Sequence, residues 1–280
     1  MKVNLNDLPK YSNLPRWLLL SSEADIKYKN KAEVLREFNE DKWGELLVKL
    51  NKSEIKSLEY ADSLYSSASA EIIGFENGDF FRTNEKLMLE KYINLYADVL
   101  GKYINSASAL VELGAGYGSK LIGLSKHNKL SCKRFYAGEY TNAGQTLIKM
   151  ISDYEKIDIS VGYCDLNNME IADIEIPRNA VIFTSYSAHY TSENPADFVS
   201  FIAQFDPCAV VHFEPLYEIH NEETMFGLMC RRYIELNDYS KNFKSIIESG
   251  CDRLNYRCKI TPNVIGLNPF LPISILEWAR

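Results

Sequence analysis

The sequence predicts an α/β protein: a doubly wound, seven-stranded, mostly parallel sheet preceded by an N-terminal helical region. Three observations point there. From Ala109 onward, short apolar runs end in acidic or polar residues and are followed by helical stretches, the mark of repeated strand-helix units. Ahead of Ala109, apolar residues recur at helical spacing without that alternation. Near the C-terminus, two apolar runs face each other across a loop carrying Pro262, Gly266, Asn268, Pro269 and Pro272. With 280 residues, 46% hydrophobic and 12% aromatic, the chain can bury a large core.

The expected division places an N-terminal cap or lid at residues 1–105 and the main domain at 106–280. Within the first part, Leu35, Phe38, Trp43, Leu46, Leu47 and Leu50 share one helical face. Asn84 is placed to cap a second amphipathic helix built on Leu89, Tyr92, Ile93, Tyr96, Val99, Leu100, Tyr103 and Ile104. Between them, Tyr60 to Arg82 is rich in Ser, Ala, Gly and Asn and reads as a loop or short irregular helices over a pocket, or as a plain linker. In the main domain the expected strands are 109–113, 134–138, 159–162, 180–184, 209–213, 256–260 and 273–278, the last two forming a hairpin. Helices are expected near 118–127, 142–155, 193–204 and 220–249.

Charge and cysteine usage narrow the function classes. A formal charge of -7 and a pI near 5.3 repel a phosphate backbone, so no nucleic-acid partner is expected and small-molecule or peptide substrates move up. Cysteines at 132, 164, 208, 230, 251 and 258 lack metal-site spacing and read as reduced thiols of a cytoplasmic protein. The apolar burst at residues 17–20 is too short for a secretory or bilayer segment, so no membrane partner is expected. His189, His212 and His220 are not spaced as metal ligands, and no metal is expected. A homodimer is left open.

In a doubly wound sheet, ligands sit at the carboxyl ends of the strands, near the point where strand order reverses. The residues after each strand are therefore the ones to inspect. After the first comes Glu112-Leu113-Gly114-Ala115-Gly116-Tyr117-Gly118, whose glycines permit a tight turn and close approach of a ligand to the backbone. After the second comes Glu139, placed to accept two ribose hydroxyls, and after the third Asp165, a second strand-end acid. The dinucleotide pattern would require a third glycine where Ser119 stands, which tilts against a dehydrogenase.

Over residues 109–213 these features resemble the class I S-adenosylmethionine-dependent methyltransferases, whose core is a Rossmann-like sheet and whose cofactor is S-adenosyl-L-methionine. The resemblance implies that Gly114, Gly116 and Gly118 contact the methionine part and that Glu112 orients the turn or reaches the amino group through water. It implies that Glu139 binds the ribose, and Asp165 with the Leu166 amide the adenine. Ala115, Tyr140, Thr184 and Ser185 complete the expected cofactor set.

The acceptor side is expected on two loops. One is Thr184-Ser185-Tyr186-Ser187-Ala188-His189-Tyr190, where His189 is a candidate general base and Tyr186 a candidate catalytic or wall residue. The other is His212-Phe213-Glu214-Pro215-Leu216-Tyr217-Glu218, where Glu214 and Glu218 are candidates for binding or catalysis. The reading is methyl transfer to an oxygen or nitrogen of a small molecule or peptide. Alternatives are an arginine or peptide N-methyltransferase using Glu214 with Glu218 or Glu223, and a non-catalytic binding module of the same fold. His212 is expected to be a core residue, and Arg231 and Arg232 solvated ones.

Overall fold

The computed structural model describes residues 1–65, 71–130, 134–190 and 194–280. Its strands are β1 (Lys2–Val3), β2 (Glu71–Glu76), β3 (Asp79–Asn84), β4 (Ala109–Leu113), β5 (Arg134–Glu139), β6 (Ile159–Asp165), β7 (Glu170–Ala172), β8 (Val181–Ser185), β9 (Ala209–Glu214), β10 (Arg257–Gly266) and β11 (Ile273–Ala279). The α-helices are α1 (Leu14–Leu20), α2 (Lys31–Leu35), α3 (Trp43–Asn51), α4 (Leu58–Tyr65), α5 (Glu85–Ile104), α6 (Ser119–Ser125), α7 (Asn142–Glu155), α8 (Phe198–Ala203), α9 (Met225–Leu236) and α10 (Phe243–Leu254).

The strands form one mixed sheet in the order β1-β3-β2-β10-β11-β9-β8-β4-β5-β6-β7. Its centre is parallel, because β4 pairs with both β5 and β8 while β5 continues to β6 and β8 to β9. Strand β11 inserts antiparallel beside β9, and β10 beside β11. The order therefore reverses between β4 and β8, which is where a doubly wound sheet opens a crevice for ligands.

Side-chain alternation along β4 shows why both faces are covered. Leu110 joins a cluster with Tyr96, Leu100, Leu121 and Ile148 from α5, α6 and α7. Ala109, Val111 and Leu113 join another with Phe198, Ile202, Phe243 and Ile247 from α8 and α10. Strands β4, β8 and β9 are buried along their whole length, as parallel strands between two helical layers must be.

The α/β class and the seven expected strands are present, but among the described residues the sheet has eleven strands. The largest difference lies in the N-terminal region, which is not purely helical. Residues 71–84 form a hairpin turned by Asn77 (φ 49°) and Gly78 (φ 95°), with Glu76 facing Asp79. An Asn-Gly pair between apolar runs is a strong hairpin signal, and here it had been absorbed into an expected loop. Through β2 and β10 this hairpin extends the main sheet, and β1 extends it further. The helix expected over 220–249 is two helices, broken at Asn237 to Asn242, where Asp238 takes φ 51°. Residues 66–70 of the expected loop, residue 193 of the expected helix and Cys132 lie outside the described residues; the other five cysteines are free thiols.

Candidate functional site

The turn after β4 is shaped by three glycines with left-handed backbone, Gly114 (φ 76°), Gly116 (φ 59°) and Gly118 (φ 84°). Gly114 and Ala115 both donate their N–H to the Gly138 carbonyl at the end of β5, at 2.8 and 3.1 Å, locking the turn against the neighbouring strand. Gly118 occupies the N-cap position of α6. A Cβ at Gly114 would collide with that of Ser187 and lie 2.7 Å from the Ser187 Oγ. Gly114→Ala should therefore cost about 2–4 kcal/mol, combining left-handed strain with overpacking. Gly101→Ala, in open space within α5, should instead stabilise by about 0.5–1 kcal/mol. Denaturant midpoints of the two variants check the contrast.

Three buried carboxylates line the same cavity of about 580 Å³. Glu139 accepts hydrogen bonds from the Gly116 N–H at 2.8 Å, the Thr141 N–H at 2.9 Å and the Thr141 hydroxyl at 2.7 Å. Burial raises its pKa, and these bonds oppose the rise. Asp165 accepts from the Asn167 and Asn168 backbone at 3.0 and 3.1 Å, from the Asn168 side chain at 2.9 Å, and pairs with Lys31 at 3.3 Å. Tyr140 and Leu166 line the cavity beside these acids.

Glu112, 2% exposed, accepts from the Leu121 N–H at 3.1 Å. Burial pushes its pKa up to about 8, against the opposing pull of the Lys120 charge and that N–H. The unfolded chain ionises this group near 4.5, while the folded protein keeps it protonated to about 8. Its contribution to stability is therefore fully present below 4.5 and is lost as pH rises through about 8. Over that window it should weaken folding by up to about 1.4 kcal/mol per pH unit, and Glu112→Gln should remove this slope. Urea unfolding at pH 5 and pH 8 checks it; an unchanged slope in the variant would count against a protonated Glu112.

On the other side of the cavity, Glu214 at the end of β9 organises the loop after β8. Fully buried, it accepts from the Ser187 N–H at 3.1 Å, the Ala188 N–H at 3.0 Å and His189 Nδ1 at 2.8 Å. Burial pushes its carboxyl pKa up, but the hydrogen bond and charge of His189 and the two backbone donors outweigh that and hold it below the ordinary value. An ionised carboxylate only accepts, so Nδ1 of His189 donates to Glu214 and Nε2 is the ring nitrogen this bond leaves free of Glu214. His189 lines the cavity.

Tyr186 has left-handed backbone (φ 50°) and a committed hydroxyl. The Leu267 N–H donates to Tyr92 Oη at 2.7 Å, and Tyr186 donates to the Leu271 carbonyl at 3.0 Å. The 3.0 Å contact between the two phenols therefore runs from Tyr92 to Tyr186. Burial keeps both phenols neutral, that of Tyr92 pushed up to about 12. Tyr186 lines the cavity with its hydroxyl engaged by Leu271 and Tyr92.

Of the residues singled out from sequence, the cavity brings together Glu112, Gly114, Ala115, Gly116, Glu139, Tyr140, Asp165, Leu166, Ser185, Tyr186 and His189. Gly118 shapes the turn without lining it, packing against Ile148 and Ile122. Thr184 is fully buried, its hydroxyl 3.0 Å from His212 Nδ1, and does not reach the cavity. His212 also accepts from the Trp278 indole N–H at 3.1 Å, and burial lowers its pKa to about 4, as befits a core histidine. Glu214 acts from behind His189. Glu218 instead accepts from the Lys244 and Ser245 N–H groups at 2.9 and 2.8 Å, at the start of α10, and Glu223 is exposed. These glutamates do not converge as a guanidinium grip. Arg231 is engaged with Glu222 and Tyr217, and Arg232 with the Ser21 carbonyl.

Several lining residues were missed because they come from distant parts of the chain. Lys29, Phe38, Lys42 and Trp43 arrive from the segment around α2 and α3, and Tyr239 from the break between α9 and α10. The Ser240 N–H donates to the His189 carbonyl at 3.0 Å, which fixes that break against the histidine. The C-terminal loop contributes Leu267, Asn268 and Leu271. The helical spacing of Phe38 and Trp43 and the Pro- and Gly-rich turn chemistry of residues 266–272, which reads as a loop able to hang over the cleft, were the readable signals.

The sheet order, the glycine turn at its switch point and the strand-end acids define the fold of the class I S-adenosylmethionine-dependent methyltransferases. Two of the solved structures to which the chain is similar illustrate the likeness. Magnesium protoporphyrin IX methyltransferase from Synechocystis PCC 6803, with bound S-adenosylhomocysteine, superposes at a TM-score of 0.53 with 12% identity, over 90% of this chain and 100% of that one. Geranyl diphosphate C-methyltransferase from Streptomyces coelicolor A3(2), with Mg2+, geranyl-S-thiolodiphosphate and S-adenosylhomocysteine, superposes at 0.50 with 11% identity, over 87% and 98%. No protein-family model and no curated protein matches by sequence, so the likeness is carried by the fold.

Proposed function

We propose that this chain is an S-adenosylmethionine-dependent methyltransferase acting on an oxygen or nitrogen of a small molecule or peptide, with His189 as general base and Glu214 as its orienting partner. The observation that carries the reading is the 2.8 Å His189–Glu214 contact at the wall of a cavity whose other wall is the glycine turn with Glu139 and Asp165. The magnesium protoporphyrin IX and geranyl diphosphate methyltransferases described above both hold S-adenosylhomocysteine, which supports the same cofactor class here.

The residues present fit the cofactor. Gly114 and Gly116 bring their backbone to the cavity wall, where we assign the methionine moiety; we assign Glu139 to the ribose, and Asp165 with Leu166 and Tyr140 to the adenine. When bound, the cofactor supplies a methyl group on a positively charged sulfur. Transfer by in-line displacement requires the acceptor atom to be held close and aligned, and its proton removed. Nε2 of His189 takes that proton, and the carboxylate of Glu214 stabilises the imidazolium that results. Walls formed by Tyr186, Tyr190, Tyr239 and Leu271 keep water from the reacting atoms.

Incubation with methyl-labelled S-adenosylmethionine and a panel of phenols, amines and peptides tests the reading. Label should appear in at least one acceptor and be lost with His189→Gln. Label transfer undiminished in that variant would remove the histidine from its role.

A further inference from the structure

Two lysine ammonium groups meet at one end of the cavity. Lys29 and Lys42 both line it, and both ammonium groups rest on one carboxylate, that of Glu37, at 2.5 and 2.7 Å. Glu37 does not itself line the cavity. The Asp238 carboxylate accepts from the Lys29 backbone N–H at 2.9 Å and, like Glu37, does not line the cavity. Two ammonium groups against one carboxylate leave this trio with an excess of one positive charge. The Lys29 side chain is only 8% exposed, so water screens that excess poorly.

Aromatic rings surround the two ammonium groups. Lys29 Nζ lies 5.4 Å from the Tyr190 ring centre and 5.8 Å from that of Tyr239, and Lys42 Nζ lies 4.2 Å from that of Phe38. Tyr190 and Tyr239 each pack on His189, with ring centres 4.6 Å apart. A single tyrosine ring therefore separates the lysines from the proposed base. Resident ammonium groups already occupy these aromatic faces, which disfavours a cationic acceptor.

We infer that Lys29 and Lys42 form an anion subsite selecting an aromatic acceptor that bears a carboxylate, with the acceptor's hydroxyl or amine directed at His189. The inference deepens the methyltransferase reading and rests on it for the role of His189. Its expected signature has opposite signs in neighbouring variants. Removing either ammonium weakens binding of an aromatic carboxylate, whereas removing the Glu37 charge frees the lysines and strengthens it.

Calorimetric titrations of 4-hydroxybenzoate and 4-hydroxycinnamate, each against its primary amide, test this with and without saturating S-adenosylhomocysteine. In the wild type at least one acid should bind about ten-fold more tightly than its amide. Lys42→Gln and Lys29→Gln should each abolish most of that preference, and Glu37→Gln should raise affinity for the acid by about three- to ten-fold. Affinity for S-adenosylhomocysteine should be unchanged in all three variants. Equal affinity for acid and amide, absence of acid binding at millimolar concentration, or weaker acid binding in Glu37→Gln would overturn the inference. Failure of the nucleoside alone would instead count against the methyltransferase reading, since the acid-to-amide ratio is read without it. Glu37→Gln also guards against misfolding, because a damaged fold cannot bind more tightly.

Discussion

Replacing His189 by Gln, or Glu214 by Gln, should lower methyl transfer by about 10²- to 10⁴-fold, the range of positioned general-base catalysis. The two substitutions act through one unit, so the double variant should be little slower than either single one. Their structural costs differ. His189 is held chiefly by Glu214 and aromatic neighbours, whereas Glu214 also ties down the Ser187 and Ala188 amides. Gln at 214 keeps one carbonyl acceptor but presents an N–H to donors, so this variant should also lose about 1–3 kcal/mol of stability. Rate constants at saturating acceptor, set beside S-adenosylhomocysteine affinities within a few-fold of wild type, separate catalysis from folding. Retained transfer in both variants would place the base elsewhere.

Glu139→Ala should weaken S-adenosylhomocysteine binding by about ten- to hundred-fold, the equivalent of roughly 1–3 kcal/mol for two lost ribose hydrogen bonds. A second contribution acts through the turn. The Glu139 carboxylate accepts the Gly116 N–H, so its removal frees the segment that would lie against the methionine moiety. Asp165→Ala should weaken binding less, because the backbone groups it holds are those of Asn167 and Asn168 and not those of the glycine turn. Calorimetry on both variants gives the order. Equal losses would assign the two acids equivalent roles.

The parts legible in the sequence were those whose signal is local. The glycine turn, Glu139 and Asp165 stand at the ends of apolar runs, and the rule that ligands sit at strand ends converts that position into a site. The five parallel strands and the terminal hairpin were readable for the same reason. The acceptor chamber is different, since its residues meet only after tertiary packing. Lys29 and Lys42 lie in a charged stretch indistinguishable by composition from a solvated face, and Tyr239 sat inside an expected helix that the left-handed Asp238 interrupts. Thr184 was misplaced by one step of the β pleat: Ser185 lines the cavity and Thr184 faces His212 in the core. The β2–β3 hairpin was written in the sequence as Asn77-Gly78, but its Ser- and Ala-rich surroundings obscured it.

A single titration bears most directly on the cofactor at the switch point between β4 and β8. S-adenosylhomocysteine added to the wild-type protein in a calorimeter should bind one equivalent with a micromolar dissociation constant, as roughly 8 kcal/mol of binding energy corresponds to. NAD+ under the same conditions should give no saturable heat. Binding of NAD+ without binding of S-adenosylhomocysteine would contradict the assignment of the glycine turn, Glu139 and Asp165 to a sulfonium cofactor.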